Sequence, residues 1–243
     1  MKICLSIDME QDCPPFLSTY RGVEEGTPLF LKLLREQNIP ATFFTTGDVA
    51  QRYPELMQQI VDQGHELASH GYSHKRFDTM SEAEAEEEII QSLQVLKKYY
   101  PVVSFRAPNL EFPEKFLPLL KKHGIQLDSS TAHYKFTHRE RIQNSIYVGI
   151  KRFPASVTSS VLRLPYLLRH YFFWKMKKPA VLFVHPWEFV DFRKSNLRLD
   201  CRFRTGTQAL DFLRKNILYF KAKKHRFLRM KELIQEPPEV LSV

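Results

Sequence analysis

Two histidines four positions apart, His70 and His74, are residues whose type and spacing could do chemistry. They stand in the stretch ELASHGYSHKRFD, directly after an apolar run that ends at Ala68. Two neutral imidazoles this close could bind one metal ion, or they could simply be two polar residues on a loop. A hydrolytic metal site needs a few protein ligands and an open position for water, so the remaining ligands must come from other parts of the chain.

Acidic residues near the N-terminus could supply what the imidazoles lack. Asp8 and Glu10 stand two positions apart at the end of an apolar run, and Asp12 follows with the same parity. Side chains two apart on a strand project to the same side. One carboxylate could therefore bind a metal ion while another took a proton from the water that the metal activates.

The elements that must position these residues follow from hydrophobic periodicity. Strands are predicted at residues 2–7, 41–47, 65–70, 102–108, 125–130 and 179–189, and helices at 26–39, 53–64, 81–100, 113–124 and 206–224. The two alternate through the first 130 residues, and this order is typical of parallel βαβ units in an α/β fold.

Polar residues end five of the predicted strands: Asp8, His70, Arg106, Asp128 and His185. In parallel α/β architectures, ligands bind at the carboxyl ends of the strands. The pattern therefore predicts one site that these strand ends share. Residues 131–178 are less regular and rich in Arg, Tyr and Phe, and we expect them to form an insertion or cap beside that site.

Length and composition fit one domain. The chain has 243 residues, of which 43% are hydrophobic and 26% charged. This is an ordinary globular composition, and the length suits a single α/β domain over residues 1–243 with a core large enough for a deep site. The three cysteines, Cys4, Cys13 and Cys201, lack a CxxC spacing and are typical of reduced thiols in a cytosolic protein.

Targeting signals are not expected. The N-terminal apolar stretch is too short for a signal peptide, and no apolar run approaches the roughly 18 residues of a transmembrane helix. We therefore predict a cytoplasmic protein, in which a peripheral position at the inner face of the membrane stays open.

Charge bears on the partners. The formal net charge is +9, concentrated in the C-terminal half, and it favours anionic partners or a solvated basic face. Specific nucleic-acid recognition is not predicted, because the sequence has no zinc-finger spacing, RNA-recognition signature or basic zipper. The segment VLRLPYLLRHYFFWKMKK could lie on an anionic membrane surface, or it could be a plain helix packed on the domain.

Five short motifs follow one another along the chain: SIDMEQD, SHGYSH, RAPN, LDSS and VLFVHPWEF. Together they resemble the motifs of the polysaccharide deacetylases, the NodB-homology group of carbohydrate esterase family 4. The stretch ATFFTTGDVAQRYPELMQQIVDQGHELASHG is similar to the family's sequence between its first two motifs. Any one motif alone would be weak, but five in the family's order make a specific signal.

The resemblance implies a fold and a reaction: a single-domain distorted (β/α)7 barrel, and the metal-dependent removal of an acyl group from an amino sugar. Carried over to this chain, it makes Asp8 the general base and His70 and His74 metal ligands. Arg106 would orient Asp8 and keep its carboxylate ionised.

The resemblance also assigns the acid side of the reaction. His185 would be the general acid that protonates the leaving amine, a role that suits an imidazole near neutral pH. Asp128 would orient His185, because a carboxylate partner fixes the imidazole tautomer.

The first motif departs from the family's common pattern, because Met9 stands where most members have a metal-binding aspartate. Some branches space the two carboxylates by two residues, as this chain does. That makes Glu10 the preferred third ligand and Asp12 its rival. Imidazole and carboxylate ligands suit zinc, which we expect, and also cobalt, nickel and manganese.

The substrate is expected to be an N-acyl amino sugar, linked to a nucleotide or to a lipid. Two other functions stay open. The chain could hydrolyse a linear or cyclic amide that is not on a sugar, as allantoinase-like relatives do. It could also be a non-catalytic carbohydrate-binding barrel that has lost its metal. The sequence does not reveal the oligomeric state.

Overall fold

The computed structural model describes residues 1–138 and 146–235, and within them one curled sheet with helices packed on its outer face. Its strands are β1 (Lys2–Met9), β2 (Thr42–Thr45), β3 (Glu66–Ser69), β4 (Ser104–Phe105), β5 (Leu127–Asp128), β6 (Ile146–Tyr147), β7 (Ile150–Arg152), β8 (Ala180–Val184) and β9 (Arg226–Leu228). The α-helices in the same ranges are α1 (Thr27–Gln37), α2 (Gly47–Arg52), α3 (Pro54–Asp62), α4 (Glu82–Leu96), α5 (Leu117–Lys122), α6 (Tyr166–Lys175), α7 (Leu199–Arg202) and α8 (Thr207–Ala222).

The strand order is β6-β7-β5-β4-β3-β2-β1-β8, and β9 pairs with the start of β1. Every pairing is parallel except that of β6 with β7. The predicted parallel α/β architecture is therefore confirmed. Antiparallel β6 and the three-residue β9 come in addition to the seven parallel strands that the barrel prediction called for.

The two ends of the sheet approach one another through the segment that follows β7. Ala155 forms a parallel bridge with Ala132. The next residue, Ser156, donates its backbone N–H to the carbonyl of Val181 in β8 at 2.8 Å, and its hydroxyl accepts from the Val181 N–H at 2.9 Å. These contacts curl the sheet into a distorted barrel with an interior.

Side-chain parity along β1 separates that interior from the helix side. Ile3, Leu5 and Ile7 belong to the large core between the sheet and the helices. Cys4 belongs to a second, smaller core that includes Phe44, Ala68, Leu127 and Val181 from the neighbouring strands. Because alternate residues of a strand face opposite sides, Ser6 and Asp8 face the interior together with Cys4.

Helix α4 shows how the outer layer is fixed. Ser81 and Glu84 form a capping box, in which each side chain accepts from the other residue's backbone N–H. The helix buries Ala85, Ile89, Leu93 and Leu96, which recur at helical spacing. A hydrogen bond of 2.8 Å between the hydroxyls of Ser69 and Ser92 joins it to β3.

Some boundaries differ from the prediction. The strand expected at 41–47 ends at Thr45, because the Thr46 hydroxyl accepts from the Val49 N–H and caps the additional helix α2. The predicted segment 131–178 contains β6, β7, a 3₁₀ turn at Ser159–Arg163 and α6, while its residues 139–145 lie outside the described ranges. Among the described residues, no helix has the length and apolarity required to traverse a bilayer.

Candidate metal centre and active site

Three potential metal ligands meet at the carboxyl ends of β1 and β3. Glu10, His70 and His74 each present one ligand atom, and these atoms all lie within 4.8 Å of one another. Glu10 Oε2 lies 3.4 Å from His70 Nε2 and is also in direct contact with His74 Nε2. The two histidines and the carboxylate that the sequence singled out therefore converge.

A hydrogen bond to the backbone of Arg106, the residue that follows β4, fixes the orientation of the His70 ring. Its Nδ1 lies 2.8 Å from the backbone carbonyl oxygen of Arg106. A carbonyl only accepts, so Nδ1 carries a proton and Nε2 faces Glu10. Metal-binding histidines are commonly held in this way. His74 has a left-handed backbone, with φ of 62°, which is unusual for a residue with a side chain and recurs at functional sites.

Electrostatics at the cluster favour an ionised carboxylate. Burial raises the pKa of Glu10, but the charge of His74, hydrogen bonds from His70 and His74 and the charge of His185 together hold it well below its ordinary value. Burial lowers the pKa of His74, and the charge and hydrogen bond of Glu10 outweigh that and raise it. Cationic charge at this point is therefore strongly stabilised by the Glu10 carboxylate.

Asp8 lies beside the cluster and is held by Arg106. The guanidinium Nη1 donates to Asp8 Oδ1 at 2.6 Å and to the Ser6 hydroxyl at 2.8 Å, and Nη2 donates to the Ser129 hydroxyl at 3.1 Å. Arg106 has no solvent exposure and its guanidinium carbon lies 4.1 Å from the centre of the Phe44 ring. The predicted pairing of these two residues is present in the structure.

His185 stands at the end of β8, on the other side of Glu10, with Nε2 3.8 Å from Glu10 Oε1. Its Nδ1 lies 2.9 Å from Oε1 of Glu188, an acceptor, so Nδ1 carries a proton and Nε2 faces the site. The ring stacks on Trp187 at 4.8 Å between centroids. Burial lowers the pKa of His185, but the hydrogen bond that it donates to Glu188 and the charges of Glu10, Glu188 and Asp8 raise it to about 9.

The expectation that Asp128 orients His185 is wrong, because Glu188 occupies that position. Asp128 is completely buried, accepts from the Ser130 N–H at 2.9 Å and lies 3.4 Å from Arg152 Nε. Its carboxylate therefore ties β5 to β7 and to the turn that follows β5. Sequence reasoning missed Glu188, although the His-x-x-Glu spacing of a capping box, seen here at 185–188, was a usable signal.

Glu188 is itself held by the segment predicted to be a cap. Its Oε2 lies 3.3 Å from Nε of Arg163, and both side chains are almost completely buried. Burial raises the pKa of Glu188, but the charge of Arg163 and the hydrogen bond from His185 lower it below its usual value. Arg163 also donates to the backbone carbonyl of Phe203 at 2.6 Å. Nothing in the sequence pattern marked Arg163.

Asp12, the rival third ligand, lies outside the metal cluster found in the described residues. Its carboxylate accepts from the Thr19 hydroxyl at 2.7 Å and from the backbone N–H groups of Arg21 and Gly22, both at 2.8 Å. These contacts hold the loop after β1 in place. The geometry therefore favours Glu10 over Asp12 as the third ligand.

One open cavity of about 480 Å³ is bordered by the three potential metal ligands, Asp8 and His185. It is lined by Asp8, Glu10, Cys13, Pro14, Phe16, His70, His74, Asn109, Leu110, Tyr134, Thr158, Ser159, Ser160, Phe183, His185, Trp187, Arg198, Asp200 and Cys201. Residues 134 and 158–160 belong to the segment predicted to be a cap, so this segment does border the site. The three cysteines carry free thiols, two of them at this cavity.

The donor set fits a divalent metal. Two imidazole nitrogens and one carboxylate oxygen are the ligand types of catalytic zinc sites, which keep one further position open. The cavity in front of Glu10 leaves room for a water molecule and a substrate group. The same donors also suit cobalt, nickel and manganese, so the donor set alone selects no single metal.

Comparisons with known proteins agree with this geometry. The model of the polysaccharide deacetylase family matches residues 11–127. A peptidoglycan deacetylase of Helicobacter pylori is 36% identical over 132 residues, which are 52% of this chain and 44% of that protein. These matches place residues 11–127 of the chain in the polysaccharide deacetylase family. It spans about half the length of the curated relatives it matches.

Solved structures of this family share the fold. A family 4 carbohydrate esterase from Streptomyces lividans in complex with acetate is 17% identical, with a TM-score of 0.61 over 93% of this chain and 91% of that chain. A family 4 pseudoenzyme from Bacillus anthracis is 15% identical, with a TM-score of 0.65 over 97% and 66%. These likenesses confirm the predicted distorted α/β barrel.

Proposed function

We propose that this polysaccharide deacetylase family member hydrolyses the N-acetyl amide of an amino sugar, with a divalent metal bound by Glu10, His70 and His74. The observation that carries the proposal is the convergence of these three ligands with Asp8 and His185 around one cavity. Two proton-transfer groups on opposite sides of a ligand set are what amide hydrolysis requires.

Asp8 is the general base in this proposal. A bound metal would acidify a water molecule and polarise the acyl carbonyl. Asp8 takes the proton from the attacking water. Arg106 holds Oδ1 of this carboxylate by the 2.6 Å hydrogen bond, so Oδ2 is the oxygen available for the proton.

His185 is the general acid. Its Nδ1–H donates to Glu188, so the proton delivered to the leaving amine comes from Nε2, which faces the cavity. Trp187 and Phe183 flank the imidazole and restrict its rotation. Glu188 acts through His185 and is a positioning residue.

The rim of the cavity fits a sugar. Phe16 and Tyr134 line it with exposed rings, and Asn109, Ser160 and Asp200 add polar groups. An amphipathic ring such as a pyranose matches a wall that combines aromatic faces with hydrogen-bonding groups. The relative named as a peptidoglycan deacetylase supports an amino-sugar substrate in general, and a nucleotide- or lipid-linked saccharide is our narrower expectation.

The test is acetate release from N-acetylglucosamine oligomers by protein loaded with zinc or cobalt. Asp8→Asn should lower kcat by at least about a hundredfold while leaving bound metal unchanged, because Asp8 handles a proton and is not a ligand. Asp211→Asn, an exposed aspartate on α8, is the matched control and should keep full activity. If Asp8→Asn loses its metal instead, the assignments of base and ligand are reversed.

Two other outcomes would replace the proposal. Turnover of cyclic or linear non-sugar amides, with none of amino sugars, would make the chain an amide hydrolase of another class. Tight binding of saccharides without turnover and without bound metal would make it a carbohydrate-binding barrel. The family includes a pseudoenzyme with the same fold, so the fold alone does not decide between these outcomes.

A further inference from the structure

Helix α6 exposes an apolar surface that the fold does not use. Six of the fourteen large hydrophobic side chains that are exposed in the described residues lie on this ten-residue helix. They are Tyr166, Leu167, Leu168, Tyr171, Phe172 and Trp174. Leu167 is 79% exposed and Trp174 is 80% exposed. A concentration of exposed apolar groups of this kind marks an interaction surface.

The opposite face of α6 anchors it to the barrel. Phe173 is buried and its ring lies 4.7 Å from that of Phe220 on α8. His170 packs on Tyr219 at 4.2 Å. Because these contacts hold the helix, its exposed side chains contribute little to folding, and their apolar character requires another explanation.

The charged residues that immediately precede and follow α6 along the chain are all lysine or arginine. No aspartate or glutamate occurs between Glu140 and Glu188. Lys175, Lys177 and Lys178 are exposed at and after the end of α6. Lys178 also lines a surface depression with Lys2, Lys224 and Arg226, so further cationic groups collect at the same end of the barrel.

We propose that α6 and the three lysines at its end dock on an anionic lipid bilayer surface. Tyrosine and tryptophan lie at the boundary between headgroups and acyl chains, and lysines beside them attract anionic headgroups. A lysine can also extend along apolar surface, as Lys175 does with Nζ 4.7 Å from the Tyr171 ring centre. A second copy of the chain fits less well, because a two-fold contact through this face would bring the lysines of both copies together.

The test is cosedimentation of the full chain with lipid vesicles. The protein should bind vesicles that contain phosphatidylglycerol and should bind pure phosphatidylcholine vesicles at least about tenfold more weakly. Leu167→Ser with Trp174→Ser should weaken binding at least about tenfold. Leu29→Ser, which changes an exposed leucine on α1, is the control and should bind as the unmutated chain does.

A second variant tests the charge. Replacing Lys175, Lys177 and Lys178 by glutamine should weaken binding to the anionic vesicles about a hundredfold. The matched control replaces Lys32, Lys75 and Lys98, which are exposed on other faces, and should have a much smaller effect. Circular dichroism melting verifies that every variant is folded.

Three results would overturn the proposal. One is the failure of the unmutated chain to bind anionic vesicles. Another is unchanged binding by the folded Leu167→Ser, Trp174→Ser variant. The third is a dimer, seen by light scattering, that this variant dissociates, because the face would then be covered by a second copy. Acetate release is measured separately, so failure of the deacetylase proposal is distinguishable from each of these.

Discussion

Three carboxylates near the end of β1 share one parity and have three different surroundings. Asp8 is paired with Arg106, Glu10 lies between two imidazoles, and Asp12 accepts from backbone N–H groups of the following loop. The three positions have the same parity, but only their partners distinguish the proposed base, the proposed ligand and the loop anchor. Those partners come from other parts of the chain.

Replacing Glu10 by glutamine and Asp12 by asparagine should distinguish the proposed metal ligand from the loop anchor. Glu10→Gln should lower zinc affinity by at least about a hundredfold, since loss of even an outer partner of a metal ligand costs about 10- to 100-fold. Asp12→Asn should keep its metal and lose about 1–2 kcal/mol of stability, because it weakens the charge-assisted hydrogen bonds to Arg21 and Gly22. Zinc titration and denaturant unfolding measure both. Metal loss in Asp12→Asn with none in Glu10→Gln would reverse the assignment.

At the residue scale, the sequence predicted which side chains lie together where their spacing was local or the motif specific, and the roles of these residues stay predictions. The histidine pair, Glu10 and the partnership of Asp8 with Arg106 were anticipated. Asp128 was not, because its role depends on which side chain of a distant strand it meets, and it meets Arg152. A linear pattern carries no such information.

At the scale of elements, the site depends on the contact between two turns. The π-helical turn Gly22–Gly26 packs against the 3₁₀ turn Pro186–Phe189 that carries Glu188 and directly follows His185. A Cβ on Gly26 would lie 2.1 Å from the carbonyl oxygen of Pro186. Only a residue without a side chain allows the two turns to approach this closely.

Gly26→Ala should therefore displace the turn that positions His185 and Glu188. The residue has ordinary helical angles, so the whole effect is steric, and we expect a loss of about 2–3 kcal/mol of stability together with lower kcat. Gly64→Ala is the control, because a Cβ there meets nothing within 4 Å and only its positive φ is strained. It should cost about 1 kcal/mol without changing kcat. Full activity and stability in Gly26→Ala would refute the close contact.

Glu188 should influence the rate through His185 alone. Glu188→Gln removes the charge that holds the imidazole and Arg163, so kcat should fall by about tenfold to a hundredfold with KM and bound metal unchanged. Glu55→Gln, at an exposed position of α3, should have no effect. Steady-state kinetics and metal analysis provide the comparison. An increase in KM with constant kcat would instead assign Glu188 to substrate binding.

At the scale of the whole molecule, acid should weaken the fold through buried His65. The ring is 4% exposed, packs 5.5 Å from Phe43, and its Nδ1 has no hydrogen-bond partner. Burial, followed by the charge of Arg229, lowers the pKa of His65 to about 4. A histidine in the unfolded chain takes up its proton near pH 6.5. The contribution of neutral His65 to the free energy of unfolding is therefore fully present above that pH and is lost as the pH drops from 6.5 towards 4.

Denaturant unfolding at pH 7 and pH 5 checks this expectation. Because the pKa of His65 differs between the folded and unfolded states, the free energy of unfolding should fall by about 2 kcal/mol from pH 7 to pH 5. His65→Gln should be less stable than the unmutated chain at pH 7, and its stability should depend less on pH by that amount. An equal pH dependence in both proteins would show that the acid sensitivity has another origin.

The order of the first five strands and their parallel pairing follow from alternating apolar runs and helical periodicity. The late strand β8 and the helix α8 were predicted as well. The two-residue β6 and the three-residue β9 were not, because segments so short carry almost no periodicity. Their pairing is decided by the edges that longer strands leave open. Strand β9 pairs with Lys2–Cys4 of β1, whereas β2 pairs with β1 only from Ser6 onwards.

The position of β1 has a consequence for biosynthesis. This strand lies between β2 and β8 and also pairs with β9. Strand β8 begins only at Ala180 and strand β9 only at Arg226. A nascent chain leaving the ribosome therefore carries β1 with an open edge until most of the polypeptide has been translated. Such edges invite wrong pairings, so yield in a cell should depend on holding chaperones. A polypeptide truncated before β8 should accumulate in inclusion bodies.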